Sequence, residues 1–127
     1  MKLRILDNSL RLRLSQAEVA QLAASQEVLA AIHFPTSNAL HYRIVPSDDA
    51  KEVMLRYDQD GITVTIPATQ LATWANSDVV GISATNNLQN EDTVRILIEK
   101  DFQCLTTRTH EDESGLFPHP KDGEVAC

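Results

Sequence analysis

The sequence predicts an α+β domain built by internal duplication: two hairpin-helix-strand units related by a pseudo-two-fold, carrying two helices on an antiparallel sheet or a partly open barrel. Three observations predict it. An alternating strand, Leu10 to Leu14, runs directly into an amphipathic helix. The stretch Ser9 to Ser25 is answered 52 positions later by Gly61 to Ser77, with Leu10, Leu12, Leu14, Val19 and Leu22 matched by Ile62, Val64, Ile66, Leu71 and Trp74. A unit of about 50 residues rarely supplies a sufficient core alone, so the two copies are expected to share one. The expected organisation is one duplicated domain over residues 1–104, with units about 1–50 and 53–104, followed by an acidic irregular tail over 105–127.

Each element has a local reason. Lys2 to Leu6 sets Leu3 and Ile5 on one face and Lys2 and Arg4 on the other, the period of a half-buried strand. Asp7-Asn8 makes the turn, and Leu10, Leu12 and Leu14 face inward on the next strand while Arg11 and Arg13 face out. Ser15 with Glu18 is a capping box, in which the hydroxyl accepts from the third helical amide and the carboxylate reaches back to the cap amide. Val19, Leu22 and Ala23 form the expected buried stripe. Gln26 to Ile32 reads as a continuation of this helix, until Pro35 and Asn38 break it. Leu40, Tyr42 and Ile44 alternate with His41, Arg43 and Val45 in a strand closed by Pro46-Ser-Asp-Asp49.

The second copy opens at Val53, Leu55 and Tyr57, and Asp58-Gln-Asp-Gly61 is its hairpin turn. Pro67 stands where the first copy has Ser15 and suits the first helical position, where its missing donor costs nothing. Trp74 occupies the place of Leu22 and reads as a core residue. Val79 to Ala84 is a strand, Asn86 to Asp92 a polar connection, and Val94, Ile96 and Ile98 a final strand.

Composition narrows the function classes. The chain of 127 residues is 43% hydrophobic and 23% charged, with only one Trp, two Tyr and three Phe, so its core is built of branched aliphatic side chains. A net charge of -7 argues against nucleic acid as the main partner, because phosphate binding needs a large basic footprint. Arg11 and Arg13 interrupt the apolar runs before an export signal is complete, no stretch is long enough to span a membrane, and two cysteines without an export signal are expected as thiols in a cytoplasm. Four glycines and no Gly-rich loop leave no phosphate cradle or dinucleotide fingerprint.

Two constellations carry candidate chemistry. Arg4, Arg11, Arg13, Arg43, Arg56 and Arg95 all fall on expected strands at positions alternating with core residues. Gathered on one face, guanidinium groups bind a carboxylate or phosphate in bidentate fashion; the plainer alternative is a solvated face of cross-strand ion pairs with Glu52 and Glu99. The second set is Cys104, His110, His119 and Cys127 beside Glu111, Asp112 and Glu113. A Cys2His2 set is of the type that holds zinc, but these spacings match no compact finger, and His110-Glu-Asp-Glu113 is not a zincin motif. His33 and His41 flank a turn and are expected to face solvent or a backbone carbonyl.

Met1-Lys-Leu-Arg-Ile5, Asn8-Ser-Leu-Arg-Leu-Arg-Leu-Ser-Gln-Ala-Glu-Val19, Glu99-Lys-Asp-Phe-Gln-Cys-Leu105, Arg108, Glu111-Asp-Glu113 and Phe117-Pro118 together resemble a family of short bacterial proteins defined only as a domain of unknown function. The resemblance implies a bacterial cytosolic protein without an assigned activity, and it includes the segment around Cys104 and the acidic tail in the family pattern.

The reading that follows is a small non-enzymatic binding or interaction module, without cofactor, nucleic acid or membrane, whose arginine-bearing sheet face meets an anionic small molecule or an acidic protein segment. The alternative is a metal-dependent or cysteine-based enzyme centred on Cys104 and the tail histidines. A third reading gives the duplicated unit to an oligomer interface.

Overall fold

The computed structural model describes residues 1–102, so the tail and the candidate ligands Cys104, His110, His119 and Cys127 lie outside the described residues. The alternating stretches form strands and the cap sequences start helices, in the order β1 (Lys2–Leu6), β2 (Ser9–Leu14), α1 (Gln16–Ala23), β3 (Val28–His33), β4 (Ala39–Ser47), β5 (Met54–Asp58), β6 (Gly61–Pro67), α2 (Ala68–Ala75), β7 (Gly81–Asn87) and β8 (Thr93–Lys100). The class is α+β, as the sequence predicts. The strands make two four-stranded mixed sheets, ordered β1-β2-β8-β7 and β3-β4-β6-β5, and no barrel closes. All four hairpins are antiparallel. They are joined by two parallel pairings, β2 with β8 and β4 with β6. Each sheet therefore takes one hairpin from each half of the chain.

The repeated pattern continues past the stretch where the two halves look alike. Hairpin loops Phe34 to Asn38 and Leu88 to Asp92 share no residue type at matched positions, yet Phe34 N donates to Asn38 O and Leu88 N to Asp92 O, both at 2.8 Å. Ser37 and Glu91 take the same left-handed φ, 69° and 71°. The offset is 52 through the helices and 54 at these loops, because the connection from α2 to β7 is one residue longer than that from α1 to β3 and β7 is one residue longer than β3.

Local chemistry differs from expectation at four places. Val28–His33 is a strand paired with β4, not an extension of α1. Ala24 and Ser25 end the helix instead, with Ser25 at φ 63°. In α1, Leu22 is buried and Val19 half-buried, whereas Ala23 is exposed, so the stripe is narrower than the spacing suggests. Pro67 sits at the cap rather than the first helical position and offers no capping side chain. Asn86 lies within β7 and is buried, not part of a polar connection.

The capping box is present in both directions: Glu18 N donates to Ser15 Oγ at 3.3 Å and Ser15 N to Glu18 Oε1 at 2.9 Å. Gly61 closes the β5-β6 turn at φ 100°, where a Cβ would stand 2.2 Å from the His41 carbonyl oxygen. Only glycine combines that backbone with that approach.

One core joins both sheets and both helices. It contains Leu10, Leu12, Leu14, Ile96 and Ile98 from the first sheet, Ile44, Val64 and Ile66 from the second, and Leu22, Leu71 and Trp74 from the helices. Trp74 is 3% exposed, as its place in the repeat predicts. The sheet margins are tied by two polar contacts. Leu55 N donates to Asn86 Oδ1 at 2.7 Å while Asn86 Nδ2 donates to Val53 O at 2.9 Å, linking β7 to β5 and the residue before it. Elsewhere Tyr42 Oη donates to Met1 O at 3.3 Å. No helix among the described residues is long and apolar enough to cross a membrane.

Candidate functional site

The outward face of the first sheet follows from its register. Paired residues in neighbouring strands point to the same side, and β2 turns Leu10, Leu12 and Leu14 into the core, so Ser9, Arg11 and Arg13 point out. Arg4 lies directly opposite Arg11, and Lys2 opposite Arg13. Across the parallel pairing, Arg95 stands opposite Ser9 and Glu99 opposite Arg13. Thr85 then faces Arg95 and Ser83 faces Leu97 from β7.

Four of the six strand arginines, Arg4, Arg11, Arg13 and Arg95, are thus brought to one face. Arg43 and Arg56 are placed on the other sheet, each opposite Thr63 of β6. Both have local partners there: Arg43 Nη2 donates to the Asp60 carbonyl at 2.9 Å, and Arg56 Nε to Asp58 Oδ2 at 2.9 Å.

The four-strand face holds an open groove of about 750 Å³ lined by Arg4, Arg11 and Arg95, by the hydroxyl residues Ser9, Ser83 and Thr85, and by Leu6 and Leu97. Arg11 donates from Nε to Glu99 Oε1 at 2.5 Å. Arg4 and Arg95 are exposed, and their guanidinium groups make no hydrogen bond or ion pair with the described residues. Among the described residues that line the groove there are three guanidinium groups and no carboxylate, and the neighbouring Glu99 is taken up by Arg11, which leaves the lining cationic. The other end is balanced, with Lys2 Nζ 2.9 Å from Asp101 Oδ2 and Arg13 Nε 4.0 Å from Asp101 Oδ1. Like charges directly opposite in a sheet cost stability, so Arg4 against Arg11 is an arrangement that an anion would relieve. Planar donors and nearby hydroxyls suit a carboxylate or phosphate oxygen, and Leu6 and Leu97 offer contact for a small apolar body.

A second open groove, about 1450 Å³, runs along the alanine face of α1 to Ala75, Lys100 and Phe102. The one cation among its described lining residues is committed, since Lys100 Nζ donates to Ser77 O at 2.6 Å and lies 5.5 Å from the Trp74 ring centre. The space is larger but has little chemistry in it. His33 is exposed at the end of β3 and His41 is half-buried in β4; neither lines the arginine groove. Among the described residues no group of three or more His, Cys, Asp or Glu side chains is placed to hold a metal ion.

Sequence reasoning missed Ser83 and Thr85. The period of two in β7 marks them as outward-facing, but only the pairing of β7 with β8 puts them beside arginines. Likewise Arg95 and Arg11 lie far apart in the chain and meet through the parallel pairing of β2 with β8, which leaves no local signature.

A family of unknown function, DUF7009, matches residues 1–121. No curated protein and no solved structure matches the chain.

Proposed function

The chain belongs to this family of unknown function, and we propose that it is a non-enzymatic binding module that takes a small anionic ligand in the arginine groove of its first sheet. The observation that carries the reading is the pair Arg4 and Arg95, two guanidinium groups without partners among the described residues, on either side of an Arg11 that keeps a carboxylate of its own. A face meant only for solvation would be expected to pair them, as Arg56 is paired with Asp58 on the other sheet. The proposed setting is a bacterial cytoplasm, supported by the family resemblance of the Asn8 to Val19 stretch and by a cysteine count of only two, which suits thiols better than a disulfide scaffold.

Titration calorimetry of the full chain at low salt with citrate and inorganic pyrophosphate tests this. One of the two should bind, and Arg4→Ala and Arg95→Ala should each weaken it by roughly tenfold or more, the range of a lost charge-assisted hydrogen bond. Arg56→Ala should leave it unchanged. Heat signals absent for both anions, or equal in all three variants, would end the proposal.

A further inference from the structure

Each sheet has two edge strands, and three of the four are guarded. β1 carries Lys2 and Arg4, and β5 carries Arg56 and Asp58, charges that discourage edge pairing. β7 is linked to β5 and the residue before it through both amide atoms of Asn86. β3 has none of these devices. Its residues, Val28-Leu-Ala-Ala-Ile-His33, include no carboxylate, lysine, arginine, proline or glycine, and its backbone bonds go only to β4. Among the described residues no hydrogen bond reaches the outer edge of Val28–His33, and only the Gln21 side chain, at 3.5 Å from the Glu27 carbonyl, approaches the residue before it. Leu29 and Ile32 are 51% and 52% exposed on opposite faces of this strand.

We infer that β3 is a self-association edge whose occupant is β3 of a second copy, paired antiparallel across a two-fold axis at Ala30. The sequence of the edge is complementary to itself in that register. Val28 then stands opposite Ile32 of the second copy, Leu29 opposite Ala31, and Ala30 opposite Ala30. At each end the exposed Glu27 meets the exposed His33 of the second copy, an acid opposite an imidazole. Sliding the axis to Ala31 sets Glu27 against Pro35, which has no amide to donate. Sliding it to Leu29 sets polar Gln26 against Ile32. A two-fold perpendicular to the sheet keeps inward residues facing inward, so the product is a continuous eight-stranded sheet with isologous contacts. A six-residue edge is a small interface, so the dimer is concentration-dependent. The arginine groove lies on the other sheet and stays open in it.

Sedimentation velocity of the full chain from micromolar to millimolar concentration tests the inference, with Glu27→Lys, His33→Glu and the double exchange as variants at two exposed positions. The wild type should pass from monomer to dimer. Each single variant should weaken association roughly tenfold, because both end pairs of the dimer lose their attraction and His33→Glu sets carboxylate against carboxylate. The double exchange should restore it. A monomer at every concentration, a dimer indifferent to the single variants, or growth beyond the dimer would overturn it.

Discussion

Asn86 spends every polar atom of its side-chain amide group on backbone across the sheet margin, accepting from Leu55 N and donating from Nδ2 to Val53 O in a buried setting. An apolar side chain of similar size would leave both of those backbone groups without their partner. Asn86→Leu should therefore lower stability by about 2–4 kcal/mol, read as an earlier urea midpoint at unchanged slope; an unshifted midpoint would mean that water or a small shift satisfies them. At the same scale, the arginines show what a period of two can and cannot reveal. That Arg4, Arg11, Arg13 and Arg95 point away from the core was legible from their alternation with leucines and isoleucines. That Arg43 and Arg56 belong to a different surface was not, because alternation assigns a side and not a sheet.

For α1, sequence and structure agree residue by residue at the start and diverge at the end. The Ser15 and Glu18 exchange is local chemistry over four residues, and it forms as the capping motif requires. Burial pushes the Glu18 carboxyl up, but its 2.6 Å contact with the Met1 amino group and the bonds from Ser15 outweigh that and hold it below its ordinary value of 4.5. The unfolded chain thus takes up the proton first. This group's contribution is complete above about pH 4.5 and is lost as pH falls through the lower folded value. Glu18→Gln should flatten the acid limb of the stability-pH profile, compared by urea titration at pH 3 to 6; identical limbs would refute the assignment. Past Ala23 the run Val28 to Ile32 is an apolar stretch that suits a helix or a buried strand equally, and pairing with β4 decides for the strand. The strand expected at Val79 to Ala84, in the corresponding place of the second half, is the sequence signal that favoured this outcome, and it forms as Gly81–Asn87.

Across the whole molecule, the exchange of hairpins sets the cooperativity. β1 and β2 share a sheet with β7 and β8, while β3 and β4 share one with β5 and β6. Either half alone would expose the β2 and β4, or β6 and β8, edges that the parallel pairings cover, along with the faces of Ile44, Val64 and Ile98. Fragments 1–52 and 53–127, expressed separately, should show no cooperative unfolding by circular dichroism, whereas mixing them should recover a sigmoidal transition; a cooperative transition in either fragment alone would contradict this. The sequence by itself determined the duplication, the β1-β2 and β5-β6 hairpins, the start of α1 and the core positions Leu12, Ile66, Leu71 and Trp74, because each rests on spacing within a few residues or on comparison of two aligned stretches. Only the tertiary structure decided that two sheets exist, that each is shared between the halves, and that Arg4, Arg11 and Arg95 meet Ser83 and Thr85 in one groove. Those outcomes depend on which strand edges find one another, and pairing energy is carried by backbone groups that every residue but proline has, so it leaves no mark in the local sequence.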